Sequence, residues 1–191
     1  MTAIIRIARF LFVIVLFISC TKDTMTNELF FIGDSNVEFW DVQYDFPEFI
    51  THNYGKAGAG IELLKEFKNQ FYEKIVVVIV GTNDVDNKIS YNVDEYSSDY
   101  VKSICNLGAK RIFLISIFPQ SNTSTFKETN AHILELNRAI RQLIIESNVE
   151  YIDMTCNFLL DDGFNPEFTF DGRHLNRQGY EIVASKIRRA L

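Results

Sequence analysis

The chain has 191 residues, a length that suits a single domain. It is 47% hydrophobic and 23% charged, which excludes intrinsic disorder, and its three cysteines are too few for a disulfide framework. The net charge of −6, with 19 basic against 25 acidic residues and no Lys/Arg cluster, excludes a phosphate-tracking nucleic-acid surface.

Arg6 and Arg9 precede the unbroken apolar run Phe10–Ile18, which is followed by Ser19 and Cys20. A membrane-spanning helix takes about 20 apolar residues, so this run is too short to be one. Its length and flanking positive charge fit the apolar region of a secretory signal. A buried N-terminal strand or helix is the alternative. The stretch resembles a bacterial lipoprotein signal, in which a cysteine follows a small residue directly after the apolar run. The resemblance implies removal of residues 1–19, lipidation of Cys20 and a short tether over residues 20–27. It also implies a membrane-anchored, extracytoplasmic location, in the periplasm or at the cell surface. The folded domain is then expected over residues 28–191.

Along that domain, short apolar runs alternate with segments of helical spacing. The first strand is expected at Leu29–Ile32 and leads into Gly33-Asp34-Ser35-Asn36. Phe49–Asn53 reads as the second, followed by the glycine turn Gly55–Gly60 and a helical pattern at Ile61, Leu64, Phe67 and Phe71. Ile75–Val80 has no polar alternation, as a central parallel strand covered on both faces requires, and ends in Gly81-Thr82-Asn83-Asp84. A helix marked by Val93, Tyr96, Tyr100, Ile104 and Leu107 precedes the fourth strand, Arg111–Ser116. The polar stretch Gln120–Thr129 is expected to form a pocket rim, before a helix marked by Ile133, Leu136, Ile140 and Ile144. The fifth strand, Val149–Asp153, is followed by Asp171-Gly172-Arg173-His174 and a last helix carrying Tyr180, Val183, Ile187 and Leu191. This alternation predicts a layered α/β sheet with right-handed crossovers, whose ligands gather at the carboxyl ends of the strands.

The segments at those ends carry complementary chemistry. Each alone suits a helix cap or a turn. Together they supply what acyl transfer needs. A serine hydroxyl is a weak nucleophile until a base takes its proton, and Ser35 and His174 are such a pair. Asp171, three residues before His174, can fix the imidazole tautomer. The oxyanion formed at an ester carbonyl needs fixed donors, which the Ser35 and Gly58 backbone N–H groups and the Asn83 amide can provide.

These blocks, Phe31 to Trp40, Gly55–Gly60, Gly81–Asp84 and Asp171–His174, resemble in order those of the SGNH (GDSL-type) hydrolases. The platelet-activating-factor acetylhydrolase-like branch is the nearest in pattern. The resemblance implies a three-layer α/β/α, flavodoxin-like fold with a central five-stranded parallel sheet. It also implies Ser35 as nucleophile, Asp171 and His174 as the base pair, and Ser35, Gly58 and Asn83 as oxyanion donors, with Gly55 as rival to Gly58. Asn36, where the family often has Leu or Ile, is expected with Trp40 and Asp84 to contact substrate. The implied activity is hydrolysis of short acyl esters, O-acetyl groups on a carbohydrate foremost. Lysophospholipase, thioesterase, acyltransferase and non-catalytic glycan-binding readings remain open beside it.

No metal or other cofactor is expected, because the three histidines and three cysteines lack ligand spacing. His52 and His132 are expected to be structural or surface residues. Cys105 and Cys156 sit among apolar neighbours that would bury them as free thiols, although export would also permit a bridge. Two aromatic groups outside the periodic segments can wall a pocket: Trp40, Tyr44 and Phe46, and Phe158, Phe164, Phe168 and Phe170.

Overall fold

The computed structural model describes residues 27–86, 92–144 and 147–191, and the expected signal and Cys20 lie outside the described residues. In chain order the elements are β1 (Glu28–Gly33), α1 (Ser35–Glu38), α2 (Val42–Asp45), β2 (Ile50–Gly55), α3 (Glu62–Glu66), β3 (Ile75–Ile79), α4 (Thr82–Asp86) and α5 (Val93–Cys105). They continue with β4 (Arg111–Ile115), α6 (Phe126–Leu143), β5 (Val149–Ile152), α7 (Thr155–Phe158), β6 (Leu159–Leu160), β7 (Gly163–Phe164) and α8 (Arg177–Ala190).

All five expected strands form, and they make one parallel sheet in the order β2-β1-β3-β4-β5. The apolar run of β3 is explained by its place in the middle of that sheet. Val76 and Val78 enter the layer built with Tyr100 and Ile104 of α5 and Leu136 and Ile140 of α6. Val77 and Ile79 enter the opposite layer, with Val37 of α1 and Val183 and Ile187 of α8. Alternation along the strand thus feeds two cores, giving the three-layer α/β/α sandwich.

The helix expected from Ile61 to Phe71 is cut short. It ends at Glu66, and the chain turns through Asn69 in the left-handed region, at a φ of 57°. Cys105 closes α5 and Cys156 lies in α7; both are free and exposed, which corrects the expectation that they are buried. Gln120 is fully buried and its backbone N–H donates to Asn130 Oδ1, so the stretch after β4 begins inside the protein and not on an open rim.

The strand order fixes where a ligand can sit. From β1 the chain steps to one side for β2 and then crosses to the other for β3, so a crevice opens at the carboxyl ends of β1 and β3. The register brings Gly33 opposite both Gly55 and Ile79, so the segments following the three strands start at one level.

Candidate active site

The turn from β1 into α1 is tight. The Asp34 N–H donates to the Ile79 carbonyl at 3.1 Å, and a Cβ on Gly33 would lie 2.0 Å from that same oxygen. Only glycine lets the strand turn here against β3. The Asp34 carboxyl then caps α1 by accepting the Asn36 N–H at 2.9 Å. Burial pushes this carboxyl up from 3.8 to about 6, against the opposing pull of the Asn36 N–H and the Arg173 charge.

Ser35, the first residue of α1, faces the loop before α8. Its Oγ lies 3.0 Å from His174 Nε2, and His174 Nδ1 lies 2.7 Å from Asp171 Oδ2. A carboxylate only accepts, so the Nδ1 proton points to Asp171 and Nε2 is left to accept the serine proton. Burial works against the Asp171 charge, but the His174 N–H, the His174 ring and the Arg173 N–H all donate to it. Together they hold the carboxyl below its ordinary range. The loop itself is fixed on three sides. Thr169 Oγ1 donates to the His174 carbonyl, Ser121 N–H donates to the Gly172 carbonyl, and Leu175 N–H donates to Asn36 Oδ1.

The segments that carry the expected oxyanion donors follow the neighbouring strands β1, β2 and β3. Lys56 to Ala59 form a turn closed by the Ala59 N–H on the Lys56 carbonyl, with Gly58 at a φ of 77° in its third position. That is where a type II turn needs a positive φ. The rival Gly55 has spent its N–H on Asn53 Oδ1, whereas the Ser35 and Gly58 N–H groups meet no acceptor among the described residues. Asn83 Nδ2 donates one hydrogen to the Ala59 carbonyl at 2.9 Å, and its second meets no protein acceptor among the described residues.

Two expected substrate contacts, Trp40 and Asn36, are corrected by their burial, and the third, Asp84, is half-buried with partners in the protein. Trp40 is buried in the core at 2% exposure, stacked on Tyr180, and its Nε1–H donates to buried Asp45. Asn36 is buried at 1% exposure, turned away from the crevice to hold Leu175. Asp84 accepts from the Ile61 N–H and the Tyr96 hydroxyl, and burial raises its carboxyl above the ordinary range. It fastens the end of the glycine turn. The aromatic groups divide in the same way: Phe46, Phe158 and Phe164 are core, and Tyr44 lies exposed under the Arg177 guanidinium.

Two exposed rings do reach the site. Phe39 and Phe170 lie 5.5 and 5.7 Å from the His174 ring, with 55% and 66% of their surfaces open. Phe39 had not been singled out, although its place four residues after Ser35 puts it on the same face of α1. Arg173 was also given no role. Its guanidinium spans Asn83 Oδ1 at 2.5 Å and Gln120 Oε1 at 3.1 Å. Among the described residues no group of three or more His, Cys, Asp or Glu side chains is placed to hold a metal ion.

The model of the GDSL-like Lipase/Acylhydrolase family matches residues 31–182. The chain belongs to this family. Among solved structures, a Streptococcus pneumonia protein assigned as a platelet activating factor superposes with a TM-score of 0.71 at 23% identity, covering 90% of this chain and 86% of that one. A GDSL-like lipase from Bacteroides thetaiotaomicron gives 0.68 at 21% identity, covering 86% and 87% of the two chains. An acetylxylan esterase from Geobacillus stearothermophilus gives 0.65 at 19%, covering 85% and 93%. These neighbours share the family's fold. A curated relative, the N-acylneuraminate cytidylyltransferase of Escherichia coli O18:K1:H7, is 26% identical over 178 residues. The match takes in 84% of this chain but only 39% of that protein's length.

Proposed function

We propose that this family member hydrolyses short-chain acyl esters, above all O-acetyl groups on a carbohydrate, with Ser35 as nucleophile and His174 and Asp171 as its base pair. The observation that carries the reading is the unbroken relay from Ser35 Oγ through His174 to Asp171, at 3.0 and 2.7 Å. Ser35 Oγ attacks the ester carbonyl while His174 Nε2 takes its proton. The carbonyl oxygen becomes an oxyanion held by the Ser35 and Gly58 N–H groups and the Asn83 amide. The tetrahedral adduct collapses as His174 returns the proton to the departing alcohol. Water, deprotonated by the same imidazole, then attacks the acyl-serine and frees the acid and Ser35.

The carbohydrate reading is supported by where the leaving group must be. Its oxygen receives the proton from His174, so the alcohol lies beside that ring, where Phe39 and Phe170 offer open faces. Aromatic faces suit the C–H faces of a sugar ring. The similarity to an acetylxylan esterase points the same way. We extend the proposal to an extracytoplasmic protein held on a membrane by lipidated Cys20.

The test compares wild type with Ser35→Ala on p-nitrophenyl acetate, butyrate and octanoate, and on acetylated xylo-oligosaccharides with acetate as readout. Turnover is expected on acetyl esters, falling with acyl length and abolished by Ser35→Ala. A preference for octanoate would overturn the short-acyl assignment. A folded wild type with no Ser35-dependent turnover would overturn hydrolysis by this site.

A further inference from the structure

We propose that Arg173 is a positioning residue that sets which way the Asn83 amide faces, so that this side chain presents a donor and not an acceptor to the oxyanion. The proposal rests on the hydrolytic reading above and deepens it. An asparagine amide has two faces of opposite character, one a carbonyl oxygen and the other an NH₂ group. A rotation of half a turn about its last bond exchanges them, with little change in shape. In an oxyanion site the exchange is decisive, because a carbonyl oxygen pointed at a developing negative charge repels it.

The guanidinium removes that ambiguity, because it carries five donors and no acceptor. Its Nη2 is 2.5 Å from Asn83 Oδ1, a contact that only the carbonyl face of the amide can make. Asn83 Nδ2 is thereby turned to the Ala59 carbonyl at 2.9 Å, in the glycine turn that also holds Gly58. One hydrogen anchors the amide to that turn, and the other is directed at the oxyanion.

Arg173 is itself held at both ends. Its backbone N–H donates to Asp171 Oδ1 at 2.9 Å, so it belongs to the loop that presents His174. Its Nη1 reaches the buried Gln120 Oε1 at 3.1 Å, and Gln120 Nε2 donates back to the carbonyl of Thr82, next to Asn83. One side chain thus links the base loop, the segment after β4 and the oxyanion amide after β3. The same loop that brings the base to Ser35 sets the orientation of the amide.

The test is a double-mutant cycle on an acetyl ester with wild type, Arg173→Met, Asn83→Ala and the double variant. Asn83→Ala is expected to lower kcat about a hundred-fold or more, the usual cost of one oxyanion donor. Arg173→Met is expected to lower kcat at least ten-fold with KM within two-fold. In the Asn83→Ala background Arg173→Met should cost less than two-fold, because the amide it orients is gone. Arg173→Lys keeps a donor-only group and should retain more kcat than Arg173→Met. If Arg173→Met does not fold, the same cycle is run with Arg173→Lys, whose loss must vanish in the Asn83→Ala background. Equal losses in both backgrounds, or full activity of Arg173→Met, would overturn the proposal. Absence of Ser35-dependent turnover in wild type would instead sink the hydrolytic reading on which it stands.

Discussion

Replacing Asp34 by Asn should make the protein's stability less sensitive to pH in a defined window. Asp34 is 1% exposed, and its carboxyl is pushed up from 3.8 to about 6 chiefly by burial. Between those two values the folded protein keeps the proton that the unfolded chain releases. The folded state binds more protons there, so this group's contribution is fully present below pH 3.8 and is lost as pH rises through about 6. At about 1.4 kcal/mol per pH unit, the loss amounts to roughly 3 kcal/mol by pH 7. Asn keeps the shape and an oxygen to accept the Asn36 N–H, so the cap on α1 survives while the titration disappears. Urea unfolding of both proteins at pH 4, 5, 6 and 7 reads the effect. The stability of Asp34→Asn minus that of wild type should rise by about 2 to 3 kcal/mol across the series, because part of the loss has already occurred at pH 4. A difference that stays flat with pH would refute the assignment of a protonated Asp34 in the fold.

Asn36→Ala removes the acceptor of the buried Leu175 N–H and should cost about 1–3 kcal/mol in urea unfolding. A change under about 0.5 kcal/mol would mean that the bond contributes nothing. Phe39→Ala and Phe170→Ala should each raise KM for acetylated xylo-oligosaccharides about two- to ten-fold, the range expected for one aromatic contact. Unchanged KM in both variants would remove these rings from the sugar side. Cells expressing wild type should incorporate an alkyne-tagged fatty acid into the protein, and Cys20→Ala should abolish the label. An unlabelled wild type would refute the anchor.

The sheet could be read from the sequence because parallel strands buried on both faces appear as unbroken apolar runs, Ile75–Val80 most plainly. The residues at the ends of those runs could be read because strand order and chain direction leave them one place to meet. The short helices were not legible: α1, α2 and α7 have four residues each, too few to show a 3.6-residue period. That gap explains the errors at Asn36 and Trp40. The family pattern around Ser35 implied contact with substrate, but one step along a helix turns a side chain through about 100°, which takes Asn36 into the core and returns Phe39 to the face of Ser35. Arg173 was hidden for another reason. Its partners Asn83 and Gln120 lie 90 and 53 residues away, and no local pattern encodes such a contact.

The bond between Ser35 and His174 joins residues 139 positions apart, as does the bond between Asn36 and Leu175. Arg177 and Arg188 of α8 clasp Asp45 across 132 and 143 positions. The sheet's five strands are all made by Ile152, but the seat of the imidazole is not. During synthesis the nucleophile therefore exists for most of the chain's length without its base. Closing so long a loop costs only slightly more entropy than closing a shorter one, since the cost grows with the logarithm of length. The base therefore meets the nucleophile only when the segment around α8 is in place, and the same helix completes one of the two core layers through Val183 and Ile187, so reactivity and the closing of that core are one event.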